Sequence, residues 1–209
     1  MPSRTRPTTL SSQKDRVVKG FNIDSVTDAP LQLAQYAFLN ASQGDVFDLV
    51  SDHEGMADLS FTIAKVTLDE SKSETPCGKG TKRFCRTPVR FVLEEEIVCW
   101  KPPEMYGYKV LNCEMIIPAH LGLVVIEKLS EDTSLLIWRT YFNGRIVGGL
   151  FARTTLGVVL PDLVSNVAAR FNGRLLSPLE AEDLLKPKSE EKPQKAATLQ
   201  PTPRTDATS

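Results

Sequence analysis

Six extended segments follow one another in this chain, joined by links too short to hold a crossover helix, and that succession restricts the fold more than any other feature. Apolar or alternating runs occupy 63–68, 81–86, 89–100, 105–112, 120–129 and 134–142. Between them stand Gly78 and Gly80, Pro88, Lys101-Pro102-Pro103, Pro118 and Glu131-Asp132. Parallel neighbours need a connection of a dozen or more residues, so these strands must run antiparallel.

A further strand precedes them at 31–39, followed by Ser42-Gln43-Gly44-Asp45 and then Val46, Phe47, Leu49 and Val50 at helical spacing. A second short helical turn is expected at 54–59. After Asn143-Gly144 the period becomes helical, with Ala152, Leu156, Leu160, Leu163, Val167 and Phe171 on one stripe of a helix over 148–171. Pro161 should kink that helix or start a second segment. Ser177-Pro178-Leu179-Glu180 is a capping box with proline at the first helical position, which announces a short closing helix. The fold class is therefore α+β. A seven-stranded curved antiparallel sheet must cover its apolar face, two short helices follow its first strand, and the long helix is the only element large enough for the task.

The body spans 26–185. Residues 1–25 and 186–209 are expected to be disordered, because they offer almost nothing to bury against the entropy of ordering. Charge separates along the same boundaries: 1–20 carry +4, 186–209 carry +2, and the rest carries -7. An acidic body repels phosphate backbones, which argues against nucleic-acid partners. No apolar run approaches the roughly 18 residues of a spanning helix, which argues against integral membrane association. Cysteines at 77, 85, 99 and 113 match no zinc or haem spacing and read as free thiols of a reducing compartment, hence the cytoplasm. The acid-free, Arg-, Ser- and Thr-rich start leaves organelle targeting as an alternative. Two histidines 67 positions apart give no metal-ligand pattern, so neither a metal nor another cofactor is expected.

Period-two alternation sorts the candidate site residues. Phe91, Leu93, Glu95, Ile97 and Cys99 share one face of their strand, and it is the apolar one. A carboxylate among such neighbours must be paired, hydrogen-bonded or protonated. Arg83 lies on the preceding strand, where a hairpin through Pro88 could set it beside Glu95 as an internal ion pair. The competing register, one residue off, leaves Glu95 in solvent with Glu94 and Glu96. His120 opens a strand whose inward face would hold Gly122, Val124 and Ile126, and an inward imidazole there could shuttle a proton or anchor a polar group. His53, after Ser51-Asp52, reads as exposed. Tyr106, Tyr108 and Val110 share a face, as do Leu136, Trp138, Thr140 and Phe142; together they would line an aromatic pocket or fill a solid core.

The element order, with Asp45-Val46-Phe47 leading to Ser51-Asp52-His53, Gly80-Thr81-Lys82-Arg83, 95–103 (Glu-Glu-Ile-Val-Cys-Trp-Lys-Pro-Pro) and 133–138, resembles the polyketide cyclase/dehydrase and lipid-transport superfamily over about residues 30–172. That resemblance implies the helix-grip fold, shared with birch-pollen-allergen and steroidogenic-acute-regulatory-related proteins, in which a bent sheet wraps a long C-terminal helix around a cavity. Leu59 stands where such proteins often carry an aromatic residue. The expected function is binding of a hydrophobic or aromatic small molecule, lipid or polyketide-like, in a cavity between the sheet and the long helix. Phe91, Leu93, Ile97, Tyr106, Tyr108, Val110, Trp138, Thr140, Phe142, Leu156, Leu160 and Leu163 would surround it. The alternative is a cofactor-independent polyketide cyclase, aromatase or dehydratase, with Glu95, Arg83 and His120 as acid/base and orienting groups. A ligandless interaction domain is the third class, and the oligomeric state is not readable from the sequence.

Overall fold

The seven expected strands pair into one antiparallel sheet in a computed structural model, which describes residues 16–112, 117–144 and 147–186. In chain order the strands are β1 (Val17–Val18), β2 (Phe21–Asn22), β3 (Leu31–Leu39), β4 (Lys65–Asp69), β5 (Lys82–Arg86), β6 (Val92–Lys101), β7 (Met105–Val110), β8 (Leu121–Lys128), β9 (Ser134–Tyr141) and β10 (Arg174–Leu176). The helices are α1 (Gln43–Ser51), α2 (Val147–Arg170) and α3 (Pro178–Leu185), with a 3₁₀ turn at Gly55–Asp58. The main sheet has eight strands in the order β10-β3-β9-β8-β7-β6-β5-β4. The extra strand beyond the expected seven is β10, only 3 residues long, which pairs with β3 through Leu176↔Tyr36.

Both faces of the sheet are buried at its centre, which explains why 121–126 reads as an unbroken apolar run. Val124 and Ile126 join Leu136, Trp138, Tyr106 and Ile97 on the inner face, where α1 and the second half of α2 cover them. Leu121, Leu123 and Val125 join Leu135 and Ile137 on the outer face, beneath Ile23 and Ala181 of α3. The segment 1–25, expected to be disordered, is ordered from residue 16: β1 and β2 form a hairpin whose turn, Lys19-Gly20, has positive φ at both positions (46° and 74°). Arg16 fastens it, donating to the carbonyls of Thr27 and Ala29, and Ile23 is fully buried against the sheet. The expectations for 1–15 and 187–209 lie outside the described residues.

Local capping follows the sequence. The Ser42 hydroxyl accepts from the Asp45 amide at 3.1 Å, and Ser177 and Glu180 form the reciprocal box that starts α3. α2 continues through Pro161 without a break. Leu160, Leu163, Val164 and Val167 in its second half are buried, whereas Leu150, Phe151 and Val158 in its first half are more than 60% exposed. The helix packs chiefly on β3 and β10 at one side of the sheet. None of the described helices is long and apolar enough to cross a membrane.

Candidate functional site

Strand register assembles the polar centre. β5 pairs with β6 so that Arg83 faces Glu95, and β6 pairs with β7 so that Glu95 faces Val110. Both charged side chains are buried, and Arg83 Nη2 donates to Glu95 Oε2 at 2.8 Å. The same oxygen accepts from the Cys85 thiol at 3.3 Å. Burial, and then the neighbouring carboxylate, push that thiol well above its usual range, so it stays protonated and donates. The guanidinium also lies 4.4 Å from the centre of the Tyr108 ring, a cation–π contact. Burial disfavours the Arg83 charge, but Glu95 together with Tyr106, Cys85 and Tyr108 outweighs it, and the group remains cationic.

His53, read as exposed, is 1% exposed and belongs to this centre. Its Nδ1 lies 3.2 Å from Arg83 Nη1 and its Nε2 lies 3.1 Å from the Cys77 carbonyl. Arginine can only donate, so Nδ1 must accept and Nε2 must carry the proton. Burial, reinforced by Arg83, lowers the His53 pKa from 6.5 to about 3, which keeps the ring neutral. His120 is likewise buried, with a pKa lowered to about 3 by burial and then by Arg83. Its ring centre stands 5.6 Å from that of Tyr108. The Tyr108 hydroxyl accepts from Trp138 Nε1 at 3.2 Å, and the Tyr106 hydroxyl donates to the Val50 carbonyl at 2.8 Å. Burial raises the Tyr106 pKa to about 12. Two buried nitrogens of the centre, Arg83 Nε and His120 Nδ1, have no hydrogen-bond partner among the described residues.

Gly122 makes this arrangement possible. A Cβ there would meet Tyr108 Cζ at 2.3 Å, so any side chain must expel the phenol ring. Gly122→Ala is expected to cost about 1–3 kcal/mol of stability through overpacking. The Trp138–Tyr108 hydrogen bond would be lost with it, and a change in tryptophan emission together with a lower Tm would report both.

The structure corrects several sequence expectations. Phe91 lies before β6, 44% exposed, and takes no part in the site. Leu156 is only half-buried and stands outside the inner core, unlike Leu160 and Leu163. Leu93 packs at the edge of that core, while Val110, Thr140 and Phe142 are buried. A bulge between Ile97 and Cys99 reverses the alternation of β6, so Cys99 joins the outer face. Trp100 turns inward instead, its ring 5.2 Å from that of Phe47 and 5.8 Å from that of His53. Edge-to-face and tilted rings of Phe47, Trp100, Tyr106 and Tyr108 therefore fill this end of the interior. A cleft of about 640 Å³ lies on the other side of β6, against the outer face. No sequence signal marked the bulge, and His53 carried none beyond its place after α1.

Solved structures with the same architecture decide the fold. The chain has the helix-grip fold. A START superfamily protein from Mycobacterium smegmatis matches 68% of this chain and 97% of its own, at 14% identity and a TM-score of 0.54. Norcoclaurine synthase from Thalictrum flavum, solved with dopamine and hydroxybenzaldehyde, matches 80% of this chain and 96% of its own, at 11% identity and a TM-score of 0.51. The di-domain aromatase/cyclase StfQ of the steffimycin biosynthetic pathway matches 67% of this chain and 50% of its own, at 15% identity and a TM-score of 0.50. No family model and no curated protein matches the chain. The helix-grip chain thus shares its architecture with these proteins at low sequence identity, a likeness of fold.

Proposed function

We propose that this helix-grip protein binds one apolar or aromatic small molecule carrying a carbonyl or hydroxyl oxygen, held between α2 and the inner face of the sheet. The observation that carries the reading is the pair of unpartnered buried nitrogens, Arg83 Nε and His120 Nδ1, set about one aromatic ring in an apolar interior. Buried polar atoms are rarely left without partners, and a ligand oxygen would satisfy one or both. The first half of α2, with Leu150, Phe151 and Val158 facing solvent, is the way in. The apolar inner face would supply affinity at about 25 cal/mol per Å² buried. Neighbours of the same fold include a synthase solved with two small aromatic molecules, which is consistent with this use of the interior.

Native mass spectrometry of the protein after exposure to aromatic ketones and to fatty acids tests the reading. One molecule per chain should be retained, and His120→Ala should weaken retention of the oxygen-bearing compounds. A chain that stays unliganded throughout, or an adduct indifferent to His120, would overturn it.

Direct contact of Arg83 with both Glu95 and His53 favours a second reading, cofactor-independent cyclisation or dehydration of a reactive polyketide-like substrate. In it Glu95 would move the proton while Arg83 and His120 orient the substrate oxygen. Glu95→Gln separates the two readings: turnover would be abolished in an enzyme, and ligand retention nearly unchanged in a carrier.

A further inference from the structure

The outer face of the sheet carries a cleft that the proposed function does not use. The cleft of about 640 Å³ falls within the roughly 300–1,000 Å³ typical of small-molecule sites. Its floor is apolar: Phe21 and Val26 from the N-terminal hairpin region, and Val98, Cys99 and Trp100 from β6. The bulge in β6 makes this floor, because it brings Cys99 to the outer face while Trp100 stays within reach of both sides.

One wall is the loop 69–81, and it is built rather than loose. The Glu74 amide donates to the Lys79 carbonyl at 2.9 Å, the Gly80 amide to the Ile97 carbonyl at 2.8 Å, and the Thr81 hydroxyl to Ser73 Oγ at 2.9 Å. Gly80 has φ +93°, and a Cβ there would sit 2.1 Å from the Lys72 carbonyl oxygen, so the loop crosses itself at that glycine. This crossing fixes Lys72 at the rim.

Charge at the rim is unbalanced. Glu74 is neutralised by Lys79 at 3.2 Å, and Glu96 by Lys109 at 3.1 Å from outside the cleft. Lys72 forms no ion pair among the described residues; Asp69 feels its charge only at longer range. Lys101 donates to the Lys19 carbonyl at 2.7 Å and forms no ion pair among the described residues, the nearby Glu104 and Glu127 pairing with Lys19 instead. An apolar floor with two unbalanced ammonium groups at its edge complements an amphiphile that has a flat hydrocarbon body and one acidic group.

We propose that this outer cleft is a second ligand site, distinct from the interior, which takes an aromatic or hydrophobic small molecule bearing a carboxylate or sulfonate. The body of the ligand lies on Val98, Cys99 and Trp100, and its anion meets Lys72 and Lys101. Trp100 links the site to the interior, since its ring also faces His53 at 5.8 Å.

Anilinonaphthalene sulfonate, titrated against the folded full chain with amide chemical shifts and tryptophan emission as readouts, tests the proposal. Binding of one equivalent should move the amides of Phe21, Val26, Val98 and Cys99, quench Trp100, and weaken with added salt. Lys72→Glu, on an exposed loop, should lower affinity about tenfold by replacing attraction with repulsion. Val98→Trp, which fills the floor, should abolish binding even if the charge contribution proves small. Shifts centred on Gly122 and Tyr108, or affinity unchanged in both variants, would overturn the proposal. His120→Ala distinguishes the two sites: it should leave this binding intact while weakening the interior ligand, so either reading can fail without the other.

Discussion

Arg83→Met is expected to destabilise the fold by about 3–5 kcal/mol, the cost of leaving a buried charge without its counterion. Among the described residues Glu95 would keep only the Cys85 thiol as side-chain partner, and His53 Nδ1 would lose the donor that holds it at 3.2 Å. The face of Tyr108 would also lose its cation–π contact. Replacing both members, Arg83→Met with Glu95→Leu, should recover most of the loss, because desolvation of two ions offsets much of their mutual attraction. Urea unfolding of the two variants checks this. A double variant no more stable than Arg83→Met would mean that the ion pair itself, rather than the orphaned carboxylate, supports the sheet. In the proposed function the pair is retained because it presents Arg83 Nε to a ligand.

Acid is expected to unfold the protein through its two histidines. Both have folded pKa values of about 3 against an unfolded value of 6.5, so the unfolded state binds more protons between those limits. Their contribution is complete above pH 6.5 and is lost progressively as the pH falls towards 3. By about pH 4.5 each histidine should have removed about 2.5 kcal/mol, or about 5 kcal/mol together, a large part of the stability of an ordinary domain. His120→Gln should remove about half of this pH dependence while leaving stability at pH 8 less affected. Urea midpoints between pH 8 and pH 4.5 would show it, and an unaltered slope in the variant would exclude His120 as a source. Because both rings are neutral at physiological pH, the centre has one permanent cation and two uncharged imidazoles, a composition suited to holding a polar atom in place.

Several elements were legible from pattern alone. Short links between 81 and 142 dictated antiparallel pairing, and period-two alternation grouped Arg83 with Cys85, Glu95 with Ile97, Tyr106 with Tyr108 and Trp138 with Leu136 within their strands, while the register that brings the groups together was left open. The stripe through Leu160, Leu163 and Val167 identified the covering helix. Misreadings arose where contacts over long sequence separations override local signals. The strand at Arg174–Leu176 has 3 residues, too few for alternation to register, and exists because β3 offers an unpaired edge. The hairpin at 17–22 has strands of 2 residues each, too short for alternation to register, and is held by Val18, Phe21 and Ile23 on a sheet face that the alternation of β8 could not declare buried. Phe91 failed because the strand begins one residue later, at Val92.

The sequence by itself determined the order of strands and the position of the covering helix, and it narrowed the facing of Arg83 and Glu95 to one of two registers, because each depends on neighbouring residues and a backbone period. Tertiary structure alone decided that His53 turns inward to Arg83 30 residues away, that a bulge exchanges Cys99 for Trp100, and that open volume lies outside the sheet. These outcomes follow from how distant surfaces close on one another, and the cost of an unpaired buried charge or an unfilled space is felt only once they have met.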